Sequence, residues 1–224
     1  MEILLKFRNA LILFFLLLST GIFYAQQSDS IVAIRVKTEK NSELLLQDAI
    51  AHYDGKRFNR CLEVLSEALR MNHNGELSDI LYYYKALTYI KLNDNLKAIS
   101  QLDTAIEYNK NKEHYYFLRA EMYIQTGNLK LADKDLDKTL SLNPAHEGAL
   151  NNKGMIFQES GIIDEALMYY NKTLAINPKN GETYYLRGLI YLQNGMPDKG
   201  CDDLQKGEDI GHALAKTARI KYCL

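Results

Sequence analysis

From residue 42 onward, apolar side chains return every three or four positions, in runs separated by short polar stretches. That period belongs to helices with one buried face. The clearest case is Glu147 to Pro178. Leu150, Gly154 and Phe157 share a face of one predicted helix, Ser160-Gly161 supplies a turn, and Ala166, Tyr170, Leu174 and Ile176 mark the inner side of a second helix. Pro178 stops that second helix, because proline has no N–H to donate and its ring collides with the preceding turn. A lone hairpin of this size cannot bury its own apolar faces, so it requires neighbours of the same kind.

The neighbours stand 34 residues apart. Tyr89, Tyr123, Phe157 and Tyr191 form an aromatic ladder, and Ala86, Ala120, Gly154 and Gly188 a ladder of small residues. Asn93, Gly127, Gly161 and Gly195 mark the turns. Ala98, Ala132, Ala166 and Gly200 open the second helices, and Pro144 precedes Pro178 by the same interval. In this order the residues resemble the tetratricopeptide repeat family, whose unit of about 34 residues is a helix–turn–helix. The resemblance runs from residue 42 to about 212. It implies an all-α fold: an α-solenoid, wound as a right-handed superhelix, of about five hairpins and a C-terminal capping helix.

The hairpins are expected over residues 42–78, 79–112, 113–146, 147–180 and 181–212, with the cap over 213–224. The first departs from the pattern, with Cys61 in the place of the small residue and His52 in that of the aromatic. Terminal repeats are often atypical, since one side has no neighbour. The fifth drifts at Gly200 and Gly207, and the cap sets Leu214, Ala218 and Tyr222 on one face.

Ahead of the array, Lys6 and Arg8 lead into the apolar run Ala10 to Leu18 and then Ser19 to Ala25. This is the layout of a signal peptide over residues 1–25, cleaved after Ala25, with export to the periplasm or the medium. The rival is an uncleaved membrane anchor, because Asn9 to Ser28 carries no charge. Residues 26–41 read as a polar linker.

Composition excludes more than it names. With 47% apolar and 25% charged residues the chain is ordinary globular material, and a formal net charge of -1 gives no field to draw nucleic acid or anionic lipid. Any contact with a membrane would run through the N-terminal segment, if that segment stays uncleaved. His52, His73, His114, His146 and His212 are scattered and form no metal-ligand spacing. No nucleophile lies in a catalytic turn motif and there is no phosphate loop, so neither an enzyme nor a cofactor is expected. Asn171-Lys172-Thr173 matches a glycosylation triplet, but it falls within a predicted helix.

Two features carry sharper expectations. Lys85, Arg119, Lys153 and Arg187 recur just before the small residue of each first helix. They could form a basic stripe for an acidic partner. Alternatively Arg119 meets Asp135 and Arg187 meets Asp203 within their hairpins, leaving Lys85 and Lys153 without a companion. Cys61 reads as a packed thiol, whereas Cys201 and Cys223 start and end helices that meet if they run antiparallel. Those two are then either disulfide-bonded or two separate buried thiols.

By the family resemblance, first helices line a concave groove that holds peptides or partner segments. The residues this places in the groove are Tyr83, Leu87, Phe117, Glu121, Asn151, Met155, Tyr185 and Leu189, each of which could instead pack within the array. Some family members clamp a terminal carboxylate with lysine and asparagine. Here Tyr83, Leu87, Phe117 and Glu121 stand where those groups are needed, so that mode is not implied. The expected function is an exported interaction module for a protein or peptide. The alternatives are a self-associating structural protein of the envelope, or a binder of a small molecule or glycan.

Overall fold

A computed structural model describes residues 41–72 and 75–223. The expected signal peptide, almost all of the linker and His73 lie outside the described residues. Eleven helices and no strand occur among them: α1 (41–54), α2 (Phe58–Met71), α3 (Ser78–Lys91), α4 (Asn95–Tyr108), α5 (Glu113–Gln125), α6 (Leu129–Leu142), α7 (Glu147–Glu159), α8 (Ile163–Ile176), α9 (Gly181–Gln193), α10 (Pro197–Asp209) and α11 (Ala213–Cys223). The fold is an all-α solenoid of helical hairpins. Its contacts divide the chain into two units, one ending at Leu92 and one beginning at Asn93.

In the first unit, Ala49 of α1, Cys61, Val64, Leu65 and Ala68 of α2, and Leu81 of α3 make a closed core. Tyr53 meets Phe58 and Tyr84 edge-on, with ring centres 5.9 and 6.3 Å away. The Cys61 thiol is fully buried, 3.3 Å from the Thr88 hydroxyl, and burial pushes its pKa up. It is a packed thiol, as its small-residue position suggests.

In the second unit each helix packs on the next, from α4 to α11. The turns explain the regularity. Gly127, Gly161 and Gly195 have φ of 76, 74 and 71°, the left-handed region where a Cβ is penalised. This lets the N–H groups of Asn128, Ile162 and Met196 reach back to the carbonyls of Tyr123, Phe157 and Tyr191 at 2.8, 2.9 and 2.9 Å. The aromatic ladder thus also marks where each first helix closes. Second helices end on another repeated device: the side chains of Asn109, Asn143 and Asn177 accept from the N–H two residues on, at 3.2, 3.2 and 2.9 Å.

The cation ladder binds successive helices together. Arg119 on α5 grips Asp135 of α6 with two nitrogens, both at 2.7 Å, and reaches back to Asp103 of α4 at 2.6 Å. Arg187 on α9 does the same with Asp203 of α10 at 2.7 and 2.8 Å, and with Asn171 of α8 at 2.5 Å. Lys153 departs from the expectation that it lacks a companion. Its ammonium, with only 4% of the side chain exposed, sits 2.6 Å from both Asp133 and Asp137 of α6. Its partners stand on the preceding helix because the forward position is Tyr169, whose ring lies 5.6 Å away.

The cap also differs from its sequence pattern. The buried residues of α11 are Ala215 and Ala218, while Leu214 and Tyr222 are exposed at 57% and 53%. The reason is close approach: a Cβ on Gly207 would lie 2.7 Å from that of Ala215. Small residues on both helices turn the alanine face inward, and a disulfide between Cys201 and Cys223 joins α10 to α11 with Cα atoms 5.8 Å apart. The glycosylation triplet lies within α8, as its sequence position predicts, with Thr173 fully buried.

Candidate functional site

The expected groove residues occupy two repeated rows on the first helices. Phe117, Asn151 and Tyr185 form one row on α5, α7 and α9, and each contacts the start of the next first helix or of the cap. Phe117 lies against the His146 ring at 4.4 Å and over Gly148, where a Cβ would come within 2.7 Å of Phe117 Cζ. Tyr185 lies against His212 at 5.3 Å. Both histidines also cap their helices, since Nδ1 accepts from the N–H of Ala149 at 3.1 Å and of Ala215 at 3.2 Å.

Asn151 is 5% exposed, and its side-chain oxygen accepts from the Thr183 hydroxyl at 2.8 Å. That pairing makes it a strut between α7 and α9, which corrects the expectation of an amide open to a ligand. Thr183 lies 32 residues further on, and nothing in the local pattern points to it.

Glu121, Met155 and Leu189 form the second row. Met155 packs against the core of Ala166, Tyr170 and Ile190, and Leu189 against that of Leu204, Ala215 and Ala218. Met155 further lines a cavity of about 290 Å³ with Gln158, Glu159, Ile163, Leu186 and Gln193. Glu121 differs in kind. Its carboxyl is half-buried, has no hydrogen-bond or ion-pair partner among the described residues, and burial pushes its pKa up. In the first unit, Tyr83 and Leu87 are half-buried on α3, with Tyr83 raised in pKa by burial.

In the second unit these rows offer aromatic and aliphatic side chains, and Glu121 among them is a carboxyl disfavoured as the anion by burial. Among the described residues, no helix is long and apolar enough to cross a membrane, and no group of three or more metal-ligating side chains is assembled.

The repeat geometry has a counterpart in known proteins. One tetratricopeptide repeat model matches residues 81–112, 113–146 and 148–180, and a second matches 169–202. The chain belongs to the tetratricopeptide repeat family. Solved structures of the same fold include MamA, 18% identical with a TM-score of 0.66, covering 78% of this chain and 97% of that one. Another is YrrB, described as a tetratricopeptide repeat protein with an unusual peptide-binding site; it is 21% identical with a TM-score of 0.65, covering 79% and 90%. A third is MamA from Desulfovibrio magneticus RS-1, from residue 41 to its end, 14% identical with a TM-score of 0.68, covering 75% and 94%. These identities establish a shared fold. No curated protein matches the chain.

Proposed function

We propose that this tetratricopeptide repeat protein is an exported, non-catalytic interaction module, which holds a peptide or protein segment against the first helices of its repeats. The observation that carries the reading is Glu121: a half-buried carboxylate with no partner among the described residues, at the repeat position on α5 that Met155 holds on α7 and Leu189 on α9. A carboxyl held in such a place is disfavoured as the anion, and a lysine, arginine or N-terminal amine of a bound segment relieves that cost. Phe117 and Tyr185, on first helices of the same unit, add apolar surface for such a segment. The peptide-binding site of YrrB is a precedent for such use of this fold. Export is supported by the charge and apolar layout of residues 1–25 and by the Cys201–Cys223 bond, since disulfides persist in oxidising compartments.

A photo-crosslinking residue at position 155 tests the binding face in the producing cell. A discrete adduct is expected there, none from Lys134 or Lys172 on the second helices, and loss of the adduct in Glu121→Lys. Adducts confined to positions 134 and 172, or an adduct at 155 indifferent to Glu121→Lys, would remove the reading. N-terminal sequencing tests export: a mature chain starting at Gln26 is expected, and an intact Met1 in the membrane fraction would replace export with anchoring. Leu214, Ile220 and Tyr222 on α11, each more than half exposed, favour a second reading in which two copies associate. Salt-insensitive, concentration-dependent sedimentation supports it, and a monomer at all concentrations excludes it.

A further inference from the structure

Three cations of the ladder already hold their acceptors. For Arg119, Lys153 and Arg187 the residue sixteen positions earlier, on the preceding helix, is Asp103, Asp137 or Asn171, at 2.6, 2.6 and 2.5 Å. The first rung is different. Helices α2 and α4 have the same length of 14 residues. Allowing for three extra residues in the loop before α3, the position on α2 that corresponds to Asp103 is Ser66. Its hydroxyl donates back to the Leu62 carbonyl at 2.7 Å. Lys85 therefore has a short hydroxyl in the register where Arg119 and Lys153 have carboxylates.

A cavity of about 650 Å³ opens at that place, lined by Leu62, Glu63, Ser66, Leu69, Arg70 and Lys85. Among the described residues Lys85 has no carboxylate partner, its one neighbour of note being the Tyr82 ring at 5.8 Å, and burial pushes its pKa down. Glu63 is engaged by Arg60 at 2.8 Å. This leaves Lys85 and Arg70 as the cations of the cavity.

We infer that this cavity binds the carboxylate of an aspartate or glutamate side chain from a partner segment, which completes the rung that the chain leaves open. The chain itself identifies the chemistry, because its own Asp103 and Asp137 fill the corresponding places. Leu62 and Leu69 cover an apolar side chain next to the acid. Glu63 at the rim opposes a doubly charged phosphate more strongly than a carboxylate. This site lies on α2 and α3 and is independent of the surface around Glu121.

The test titrates isotope-labelled full-length protein with an acetylated, amidated Leu-Glu-Leu-Glu peptide and with its Leu-Gln-Leu-Gln counterpart. Saturable shifts of the Leu69 and Lys85 amides are expected with the acidic peptide, and binding weaker by at least about tenfold with the neutral one. Ser66→Asp installs the missing carboxylate, so it should raise Tm and abolish those shifts. Lys85→Met should abolish them without the gain in Tm. Equal binding of the two peptides, no saturable shift, or an unchanged response in Ser66→Asp overturns the inference. The serine variant decides the matter even if Lys85→Met folds poorly.

Discussion

The tightest fit in the repeats is between Gly154 and Tyr170. A Cβ on Gly154 would lie 2.5 Å from Tyr170 Cε1, whereas one repeat earlier Ala120 is accommodated because the residue in the tyrosine's place is Leu136. The glycine and the tyrosine are one choice made at two positions: the larger ring, whose hydroxyl donates to Gln158 at 2.8 Å, requires the absent methyl. Gly154→Ala should therefore cost about 1–3 kcal/mol by overpacking. Adding Tyr170→Leu, which recreates the pair at 120 and 136, should recover most of the loss in denaturant titrations. A double variant as unstable as the sum of the single ones would show that the two sites are independent. Glu121 gives a second test at this scale. Its folded pKa is raised, so the stability it contributes is complete below the ordinary carboxylate range and is lost as pH rises through the raised value. Glu121→Gln should remove that part of the pH dependence and leave the free protein more stable at neutral pH, read as Tm against pH.

At the scale of elements, the ladder and the turns hold the hairpins in register. Arg119 and Asp135 have 17% and 8% of their side chains exposed, so leaving either alone exposes a poorly solvated charge. Arg119→Met should cost about 3 kcal/mol or more, and pairing it with Asp135→Leu should return much of that. Asp103→Asn, at the 49% exposed end of the same bridge, should cost less than about 1 kcal/mol. Thermal and urea unfolding of the variants checks the order. The bridges at 119 and 187 were legible because their aspartates recur at a fixed forward spacing. Lys153 was not, because its carboxylates lie backwards, on a helix of the preceding repeat. The turns show the same division. The positions Asn93, Gly127, Gly161 and Gly195 all adopt positive φ, as their period implies. In the first hairpin that conformation falls to Lys56, with φ of 57°, although Gly55 stands beside it. Register, which is set by packing, outranks the residue's own preference there. Asn151 escaped the sequence for a similar reason, since its partner Thr183 belongs to the next first helix.

At the scale of the molecule, a repeat array is stabilised chiefly between neighbours, and its last helix has a neighbour on one side only. That asymmetry gives the Cys201–Cys223 bond its role. It closes a loop of 22 residues between α10 and α11, and chain entropy alone values such a closure at roughly 3 kcal/mol. The packing it reinforces is thin: Ala215 and Ala218 are the buried residues of α11, beside the ion pair of Arg219 with Glu208 at 2.5 Å. A cap held by so little apolar area would fray early in the absence of the bond. Cys201→Ser with Cys223→Ser should therefore bring hydrogen exchange of α11 amides close to that of an open helix, and should raise exchange moderately in α10. The amides of α5 and α6, four helices and more away, should keep their protection. The locality is the informative part of the experiment, because it follows from nearest-neighbour stacking and not from the bond itself. A uniform loss of protection from α5 to α11 would mean that the second unit unfolds as one cooperative block, with the disulfide acting on all of it.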